Sequence, residues 1–165
     1  MSDFGPTDER LRRVAIRMPG FALEPMRLVR MSYQLQKGLR DTTNAALKKY
    51  DLVDTSYTVL AILYGSADET STATELSEAC HEKPANLTRV CDELAARDLI
   101  RRSPKPGDRR AVMISLSERG RALIEQAMPE VSAKLASIYA GFPASDLERM
   151  GVLSLQLLDR LNDQA

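Results

Sequence analysis

The chain has 165 residues, enough for one domain with a hydrophobic core, and its 44% apolar and 28% charged residues are ordinary for a soluble globular protein. Eight glycines and eight prolines are too few for a collagen-like or low-complexity chain, and no apolar run approaches the roughly 18 residues that span a bilayer. The formal net charge of zero argues against a uniformly basic nucleic-acid-binding protein, so the distribution of charge along the chain becomes important.

The first 20 residues are polar and charged, and they lack the apolar core of a signal peptide. They predict a flexible N-terminal arm (residues 1–20) on a cytoplasmic protein. Two cysteines are too few for a disulfide scaffold, which fits a reducing compartment. The arm has four arginines that could touch DNA, although such a tail is more often simply solvated: Arg10, Arg12, Arg13 and Arg17.

The first long helix is predicted to begin between Phe21 and Pro25 and to end near Tyr50. Its apolar residues recur at steps of three and four, which places them on one helix face: Leu28, Met31, Leu35 and Leu39. Asp54 is the predicted N-cap of a second helix that ends at Gly65. Residues 66–71 are predicted to form a polar loop.

The next two helices have the signals of a helix-turn-helix. Thr72 and Glu75 form a predicted capping box, which opens a short helix over residues 73–80. The turn follows at His81–Lys83, and Pro84 suits the first position of the second helix, where its missing N–H costs nothing. The apolar residues of this second helix, which ends near residue 97, point inward: Leu87, Val90, Cys91 and Leu94.

A cationic β-hairpin follows the two helices. Leu99–Ser103 and Ala111–Leu116 are the predicted strands, with strong turn chemistry between them at Pro104–Asp108. Residues 83–121 hold ten basic and five acidic residues, a net charge of +5, so the rest of the chain has a net charge of −5. Since attraction to phosphate is screened beyond about 10 Å at 0.1 M salt, this local patch matters more than the total. A helix pair followed by a basic hairpin is what a winged helix-turn-helix needs to bind a DNA duplex.

The C-terminal part is predicted to form two further helices. Ser117 caps the first, which has an apolar stripe at steps of four and three: Ile124, Met128, Val131, Leu135 and Ile138. Pro129 should kink this helix and Gly141–Pro143 should end it. Ser145–Glu148 is a second predicted capping box, opening a last helix with one apolar face: Met150, Leu153, Leu157 and Leu161.

The predicted fold is therefore mainly α with a small β-hairpin, a winged helix-turn-helix with long N- and C-terminal dimerisation helices. Residues 21–165 form a single domain after the arm. Within it, residues 54–120 are the DNA-binding lobe, and residues 21–53 and 121–165 are the dimerisation helices. The helices at both ends have apolar faces with little domain left to cover them, which favours a homodimer over an intramolecular bundle.

Six short motifs follow one another along the chain: Thr74–Ser77, Asn86–Arg89, Asp92–Leu94, Leu99–Arg102, Asp108–Arg110 and Ile114–Gly120. In this order they resemble the multiple-antibiotic-resistance-regulator (MarR) family, over roughly residues 25–163. One departure is Asp98, which stands where the family usually has Gly at the end of the recognition helix. Asp tolerates the left-handed conformation better than most residues, so we expect the turn to survive with modest strain.

The resemblance implies which residues contact DNA. The N-terminal turns of the second helix would enter the major groove, with four contacts: Lys83, Asn86, Thr88 and Arg89. Asn can pair with adenine and Arg with guanine, each worth about 1–3 kcal/mol of discrimination. Either Arg109 or Arg110 would enter the minor groove, and one of them could instead pair with Asp108. Arg101 and Arg102 would approach phosphates, while the alternative for the whole basic set is a solvated face.

The resemblance also implies partners and a trigger. A homodimer would bind double-stranded DNA at a pseudo-palindrome with half-sites roughly 34 Å apart. The family consists of regulators, often repressors, released by small phenolic or lipophilic effectors or by thiol oxidation. Candidate effector contacts, each more often simply core, are Met31, Tyr33, Leu35, Tyr57, Leu60 and Tyr64. Cys80 and Cys91 are candidate redox residues, with small buried hydrophobes as the alternative.

Neither an enzyme nor a metal or cofactor site is predicted. The lone His81 lies near Cys80 and two glutamates but lacks the spaced ligand set that a transition metal requires. The sequence shows no nucleophile–base set and no Gly-rich phosphate loop. The rival interpretation is a helical dimer used only for protein–protein contact, like an antirepressor. The two interpretations differ in salt dependence, because DNA binding releases counterions and should weaken steeply with salt.

Overall fold

A computed structural model describes residues 4–105 and 107–164, and for residues 108–111 it describes the backbone. The described residues form seven helices and three strands in the order α1-α2-α3-β1-α4-α5-β2-β3-α6-α7. The helices are α1 (Gly5–Arg17), α2 (Leu23–Leu47), α3 (Asp54–Gly65), α4 (Ala73–Ala79), α5 (Pro84–Ala96), α6 (Glu118–Ala136) and α7 (Ala144–Asn162). The strands are β1 (Thr70–Thr72), β2 (Ile100–Lys105) and β3 (Asp108–Leu116).

Helix α1 occupies the segment in which the sequence predicted an arm. It packs against α2, where Arg27 donates a hydrogen bond from Nε to Asp8. Hydrogen bonds from Arg12 and Arg27 lower the pKa of Asp8. The charged composition that indicated a solvated tail thus belongs to an exposed helix held by ion pairs.

Helix α3 is tied to α2 at its first turn. The N-cap is Val53, so the prediction of Asp54 as N-cap is wrong by one residue. The Ser56 hydroxyl accepts a hydrogen bond from the Val53 backbone N at 3.0 Å and returns one to the Val53 carbonyl at 2.9 Å. The Asn44 side chain of α2 accepts a hydrogen bond from the Asp54 backbone N at 2.7 Å. These bonds supply the capping that Asp54 was expected to provide.

Helices α4 and α5 meet through a tight turn. The predicted capping box is confirmed: Thr72 N donates to Glu75 Oε2 at 2.8 Å, and Glu75 N donates to Thr72 Oγ1 at 3.2 Å. Ser77 closes the turn, because its carbonyl accepts from Glu82 N at 3.0 Å and its hydroxyl donates to the Glu82 carbonyl at 2.7 Å. His81 adopts a left-handed conformation with φ +51°. This clamp fixes the direction in which α5 leaves the turn.

The three strands form an antiparallel sheet in the order β1-β3-β2. Strands β2 and β3 are the predicted hairpin, with Ile100 opposite Leu116 and Pro104 opposite Val112. Strand β1 lies partly inside the segment predicted as a loop, where Thr70 pairs with Ser115. The sheet therefore connects the entry of α4 to the hairpin.

The core of the lobe lies between the C-terminal half of α2, helices α3 to α6 and the sheet. It contains side chains that are 0–4% exposed: Leu47, Leu52, Val59, Leu60, Leu63, Leu76, Leu87, Val90, Cys91, Leu94, Leu99, Ile100, Ile114, Ile124, Ala127 and Val131. Every element from α2 to α6 contributes to this cluster except β1, so the predicted winged helix-turn-helix has one continuous core.

The start of α6 packs closely against the end of α5. Ser117 caps α6 as predicted, accepting a hydrogen bond from Gly120 N at 2.9 Å, and its hydroxyl donates to the Asp98 carbonyl at 2.6 Å. A Cβ on Gly120 would lie 2.0 Å from the Leu99 carbonyl oxygen, so this position requires glycine. Asp98 has φ +54°, the left-handed conformation expected from the sequence.

The last helix lies outside the core. Residues 137–164 are all exposed, including Leu153 at 55% and Leu157 at 54%. Helix α7 begins at Ala144 with Pro143 as its N-cap and without a side-chain cap bond, so the prediction of a capping box at Ser145–Glu148 is wrong. Pro143, whose φ is fixed by its ring, occupies the N-cap position, so Ser145 lies inside the first turn of the helix.

Candidate nucleic-acid interface

Helix α5 has one buried and one exposed side. Its inward-facing residues are at most 2% exposed, as predicted: Leu87, Val90, Cys91 and Leu94. Lys83, Thr88 and Arg89 are exposed on the other side, and Asn86 is half-buried. The apolar side fixes the helix to the lobe, so its N-terminal half presents polar side chains to the outside.

Asn86 and Arg89 are hydrogen-bonded to each other and to acidic neighbours. Asn86 Nδ2 donates to Glu82 Oε2 at 2.7 Å, and Arg89 Nη2 donates to Asn86 Oδ1 at 3.0 Å. Arg89 Nη1 donates to the Glu93 carboxylate. The structure thus joins two predicted DNA contacts to two acidic residues that the sequence analysis did not place at the site.

Arg102 connects the hairpin to α5. Its guanidinium donates to Asp92 Oδ1 at 2.6 Å and to the Thr88 carbonyl at 3.3 Å. Arg101, the neighbouring residue on β2, is exposed. The backbone of the remaining predicted contacts belongs to β3, but their side chains lie outside the described part of the structure: Asp108, Arg109 and Arg110.

Arg97 anchors the C-terminal end of α5, a role that the sequence analysis missed. It donates to the Asp51 carbonyl at 2.6 Å and to the Tyr50 carbonyl at 3.2 Å, at the end of the α2 segment. Asp51 has φ +53°, which turns the chain there. The contact joins residues 46 positions apart, so local sequence patterns contain no signal for it. It links the end of α5 to the turn that follows α2.

The predicted effector residues are distributed over several places. A groove of about 590 Å³ lies beside α2 and contains two of the six, Met31 and Leu35. Its full lining is Phe4, Met31, Gln34, Leu35, Gly38, Leu39, Thr42 and Ile138. Leu60 is completely buried in the core, where it packs against other side chains, and it is not among the residues that line this groove.

The three tyrosines lie in different surroundings. Tyr57 is half-buried, and burial raises the pKa of its hydroxyl. The Tyr64 hydroxyl donates to Glu125 at 3.4 Å. Tyr33 is 60% exposed, with the Arg30 guanidinium 5.9 Å from its ring centre. None of these three tyrosines is among the described residues that line the α2 groove.

Both cysteines are in surroundings that disfavour the thiolate. Burial raises the pKa of Cys80 to about 11, with smaller contributions from Cys91 and Glu82. Cys91 is 1% exposed, and burial raises its pKa although Arg102 opposes the rise. A redox switch requires a lowered thiol pKa and access, so these positions favour the packing interpretation over the redox one.

His81 is exposed in the turn before α5. Among the side chains that the structure describes, those of residues 4–105, 107 and 112–164, no group of three or more His, Cys, Asp and Glu is arranged to hold a metal ion. Among the helices described above, none is long and apolar enough to cross a membrane.

Comparisons with known proteins extend over most of the chain. The MarR family model matches residues 52–112. The transcriptional repressor MprA of Escherichia coli (strain K12) is 26% identical over 161 residues, which cover 98% of this chain and 92% of MprA. The uncharacterized HTH-type transcriptional regulator YhbI of Bacillus subtilis (strain 168) is 30% identical over 125 residues, covering 76% of this chain and 78% of YhbI.

A solved structure confirms the predicted fold. A crystal structure of a MarR mutant from E. coli complexed with operator DNA matches with a TM-score of 0.75 and 24% identity, covering 82% of this chain and 96% of that one. The relatives are transcriptional regulators. They do not support the interpretation of this chain as an enzyme or as a dimer used only for protein–protein contact. The chain belongs to the MarR family of transcriptional regulators.

Proposed function

We propose that this regulator is a homodimeric repressor that binds a pseudo-palindromic operator in double-stranded DNA in the cytoplasm. The observation that carries the proposal is the division of α5 into a side fixed in the core and an exposed polar side at its N-terminal half. A helix held in this way can enter the major groove, which is about 12 Å wide. Lys83, Thr88 and Arg89 would then face the duplex.

The other predicted contacts have distinct roles in this proposal. Arg101 and Arg102 approach phosphates from β2, while Arg109 or Arg110 enters the minor groove from the hairpin, which Asp108 stiffens. Phosphate contacts set affinity and orientation, whereas contacts to base edges select the sequence. The +5 net charge of residues 83–121 supplies the attraction that the neutral chain as a whole lacks.

The proposed dimer uses residues 21–53 and 121–165, with residues 54–120 as the DNA-binding lobe. Residues 137–164 are all exposed and include apolar side chains on one face of α7 that a second copy would cover. A pair of lobes held in this way places two copies of α5 about one DNA turn apart, roughly 34 Å. Each copy of α5 would therefore contact one half-site.

We also propose that a small phenolic or lipophilic effector releases the operator. Its place is the groove beside α2, lined by Met31, Leu35 and Ile138 among others. This groove lies in the part of the chain assigned to the dimer, so an occupant there would change how the two lobes are spaced. Because Arg97 joins the end of α5 to Tyr50 and Asp51, in the turn that follows α2, a shift of α2 would move α5 as well.

Salt dependence tests the DNA-binding proposal. We expect fluorescence anisotropy of a labelled duplex to show an affinity loss of at least about 100-fold between about 50 and 200 mM salt, since several phosphate contacts release counterions. Arg101→Ala should reduce the slope by about one, whereas Lys134→Ala, the same charge change on α6, should leave it unchanged. Salt-independent binding, as expected of a protein-contact module, would contradict the proposal.

A further inference from the structure

We infer that Arg89 is the base-reading side chain of α5, and that Asn86 and Glu93 are positioning residues that hold its guanidinium in place. The inference rests on the proposed DNA-binding function and goes further, because it assigns different roles to residues of the same helix. It also names the base: the half-site should contain a guanine where Arg89 meets the major groove.

The three side chains belong to one continuous line of hydrogen bonds. Glu82 is fixed by Ser77, which bonds both its backbone N and its carbonyl. The Glu82 carboxylate accepts from Asn86, Asn86 accepts from Arg89, and Arg89 donates onward to Glu93. Steps of four, three and four residues place these side chains in one stripe along the helix. Arg89 is thus held from both sides, and the line begins at the clamped turn.

The hydrogen bonds of Asn86 suit a residue that positions Arg89 rather than one that contacts a base. Only its Nδ2 can donate to the Glu82 carboxylate, and only its Oδ1 can accept from Arg89, so the orientation of the amide is determined by its two partners. Both ends of the amide are engaged, and the side chain is half-buried. One N–H and one lone pair of the amide remain, but pairing with adenine would have to use both from a side chain that is half-buried and already bonded at each end.

Arg89 has the opposite properties. Its side chain is 62% exposed, and in the described structure its two bonds use two of the five N–H groups of a guanidinium. The other N–H groups remain for the O6 and N7 acceptors of a guanine, the pairing that arginine makes in the major groove. Because two neighbours hold the guanidinium before DNA arrives, less side-chain entropy is lost on binding.

Glu93 is informative because a carboxylate near DNA phosphates is repelled. Its side chain is 56% exposed and bonded to Arg89, so the pair presents a fixed guanidinium with its charge partly compensated. If Glu93 were only a source of repulsion, its removal would strengthen binding to every duplex equally. If it holds Arg89, its removal would instead weaken the preference for the correct sequence.

The first experiment is selection of duplexes from a random-sequence pool by wild type, Asn86→Ala and Arg89→Ala. We expect wild type to enrich two half-sites with a guanine that Arg89→Ala no longer selects. Asn86→Ala should weaken the preference for that same guanine and leave the other positions unchanged. Loss of an adenine preference at a separate position in Asn86→Ala would overturn the inference, because Asn86 would then read a base itself.

The second experiment measures dissociation constants for the selected duplex and for a scrambled duplex of equal composition, at one salt concentration. We expect Glu93→Gln to lower the ratio of the two affinities by about two- to tenfold, the cost of one side chain that is no longer held. In an Arg89→Ala background, the same change should leave the ratio unaltered. Asp68→Asn, an equal charge change at an exposed position before β1, is the matched control and should leave the ratio unaltered as well.

The possible results distinguish failure of the proposed DNA binding from failure of the inference about Arg89. If wild type enriches no sequence and binds without salt dependence, the proposed function fails. If wild type enriches a sequence but Glu93→Gln leaves the ratio unchanged, or lowers it equally without Arg89, only the inference fails. Thermal unfolding of each variant should match wild type to within a few degrees, which separates positioning from a general loss of structure.

Discussion

The DNA-binding lobe and the C-terminal helix use their apolar residues in opposite ways. In the lobe, Leu60, Leu63 and Leu76 are 0% exposed. On α7, Leu153 and Leu157 are more than half exposed although the helix is as regular as those of the lobe. Two parts with similar apolar sequence patterns therefore differ in whether their own chain covers them.

This difference indicates that the lobe obtains its stability from contacts within its own chain, with α2 and α6 included, whereas α7 lacks a covering surface in the single chain. Full burial of a leucine stabilises by roughly 1.5–3 kcal/mol, so covering the exposed leucines of α7 would stabilise the protein further. A second copy is the covering surface that we propose. Changes in the lobe should therefore affect folding, and changes in α7 should affect association.

The largest effect is expected for Gly120→Ala in the lobe. The added Cβ would meet the Leu99 carbonyl at 2.0 Å, so α6 would have to move away from the end of α5. We expect a loss of about 3 kcal/mol or more in the free energy of unfolding, measured in urea at constant protein concentration. Gly65→Ala, where a Cβ meets nothing within 4 Å, is the control and should be close to wild type.

The next largest effect is expected for Leu153→Glu on α7. A carboxylate placed in a dimer interface would be buried without a partner, which costs several kcal/mol. We expect the dimer dissociation constant to rise at least about 100-fold in analytical ultracentrifugation, while the circular dichroism spectrum stays helical. Leu153→Met, which preserves volume and apolar character, should leave association nearly unchanged. Equal dimer dissociation constants for wild type and Leu153→Glu would show that α7 is not part of the interface.

A smaller effect concerns pH and the capping box of α4. Hydrogen bonds from Thr72 and Ser71 lower the pKa of Glu75 below its ordinary 4.5. A lowered folded-state pKa stabilises the protein above the ordinary value and loses that contribution as pH falls through the folded one. The urea midpoint of wild type should therefore fall more between about pH 6 and pH 3 than that of Glu75→Gln. Parallel pH profiles would show that Glu75 contributes nothing.

The two predicted capping boxes, one at the start of α4 and one at the start of α7, show how far the sequence predicted the structure. Thr72 and Glu75 form the bonds that their spacing predicted, and the Ser71 hydroxyl donates a further hydrogen bond to the Glu75 carboxylate. At Ser145–Glu148 the same spacing forms no cap, because α7 begins at Ala144 and Ser145 already lies inside its first turn. Local spacing predicts the elements, but a neighbouring residue decides which caps form.

Non-local contacts account for the features that the sequence did not predict. Strand β1 has three residues and exists through its pairing with β3, more than 40 positions away, so it left no local pattern. The same applies to the hydrogen bonds of Arg97 to the Tyr50 and Asp51 carbonyls, in the turn after α2. For the candidate site, the sequence predicted which residues of α5 face outward. It could not predict the bonds of Asn86 and Arg89 to Glu82 and Glu93, because several rotamers of each would fit the spacing.

The smallest effect is expected for Asp98→Gly at the end of α5. Asp98 is in the left-handed conformation, which glycine adopts without a steric cost, although glycine also loses more backbone entropy on folding. We expect a net gain of about 0.5 kcal/mol, or roughly 1–2 °C in Tm. A decrease in Tm would show that the Asp98 side chain stabilises this turn by more than the strain it causes.

The central claim is that a pair of lobes, held together by the terminal helices, binds one duplex. A hydroxyl-radical footprint of the wild-type protein on its selected duplex tests this claim most directly. We expect two symmetrical protected segments whose centres are about one helical turn, roughly 10 base pairs, apart. One unpaired protected segment at saturating protein would contradict it.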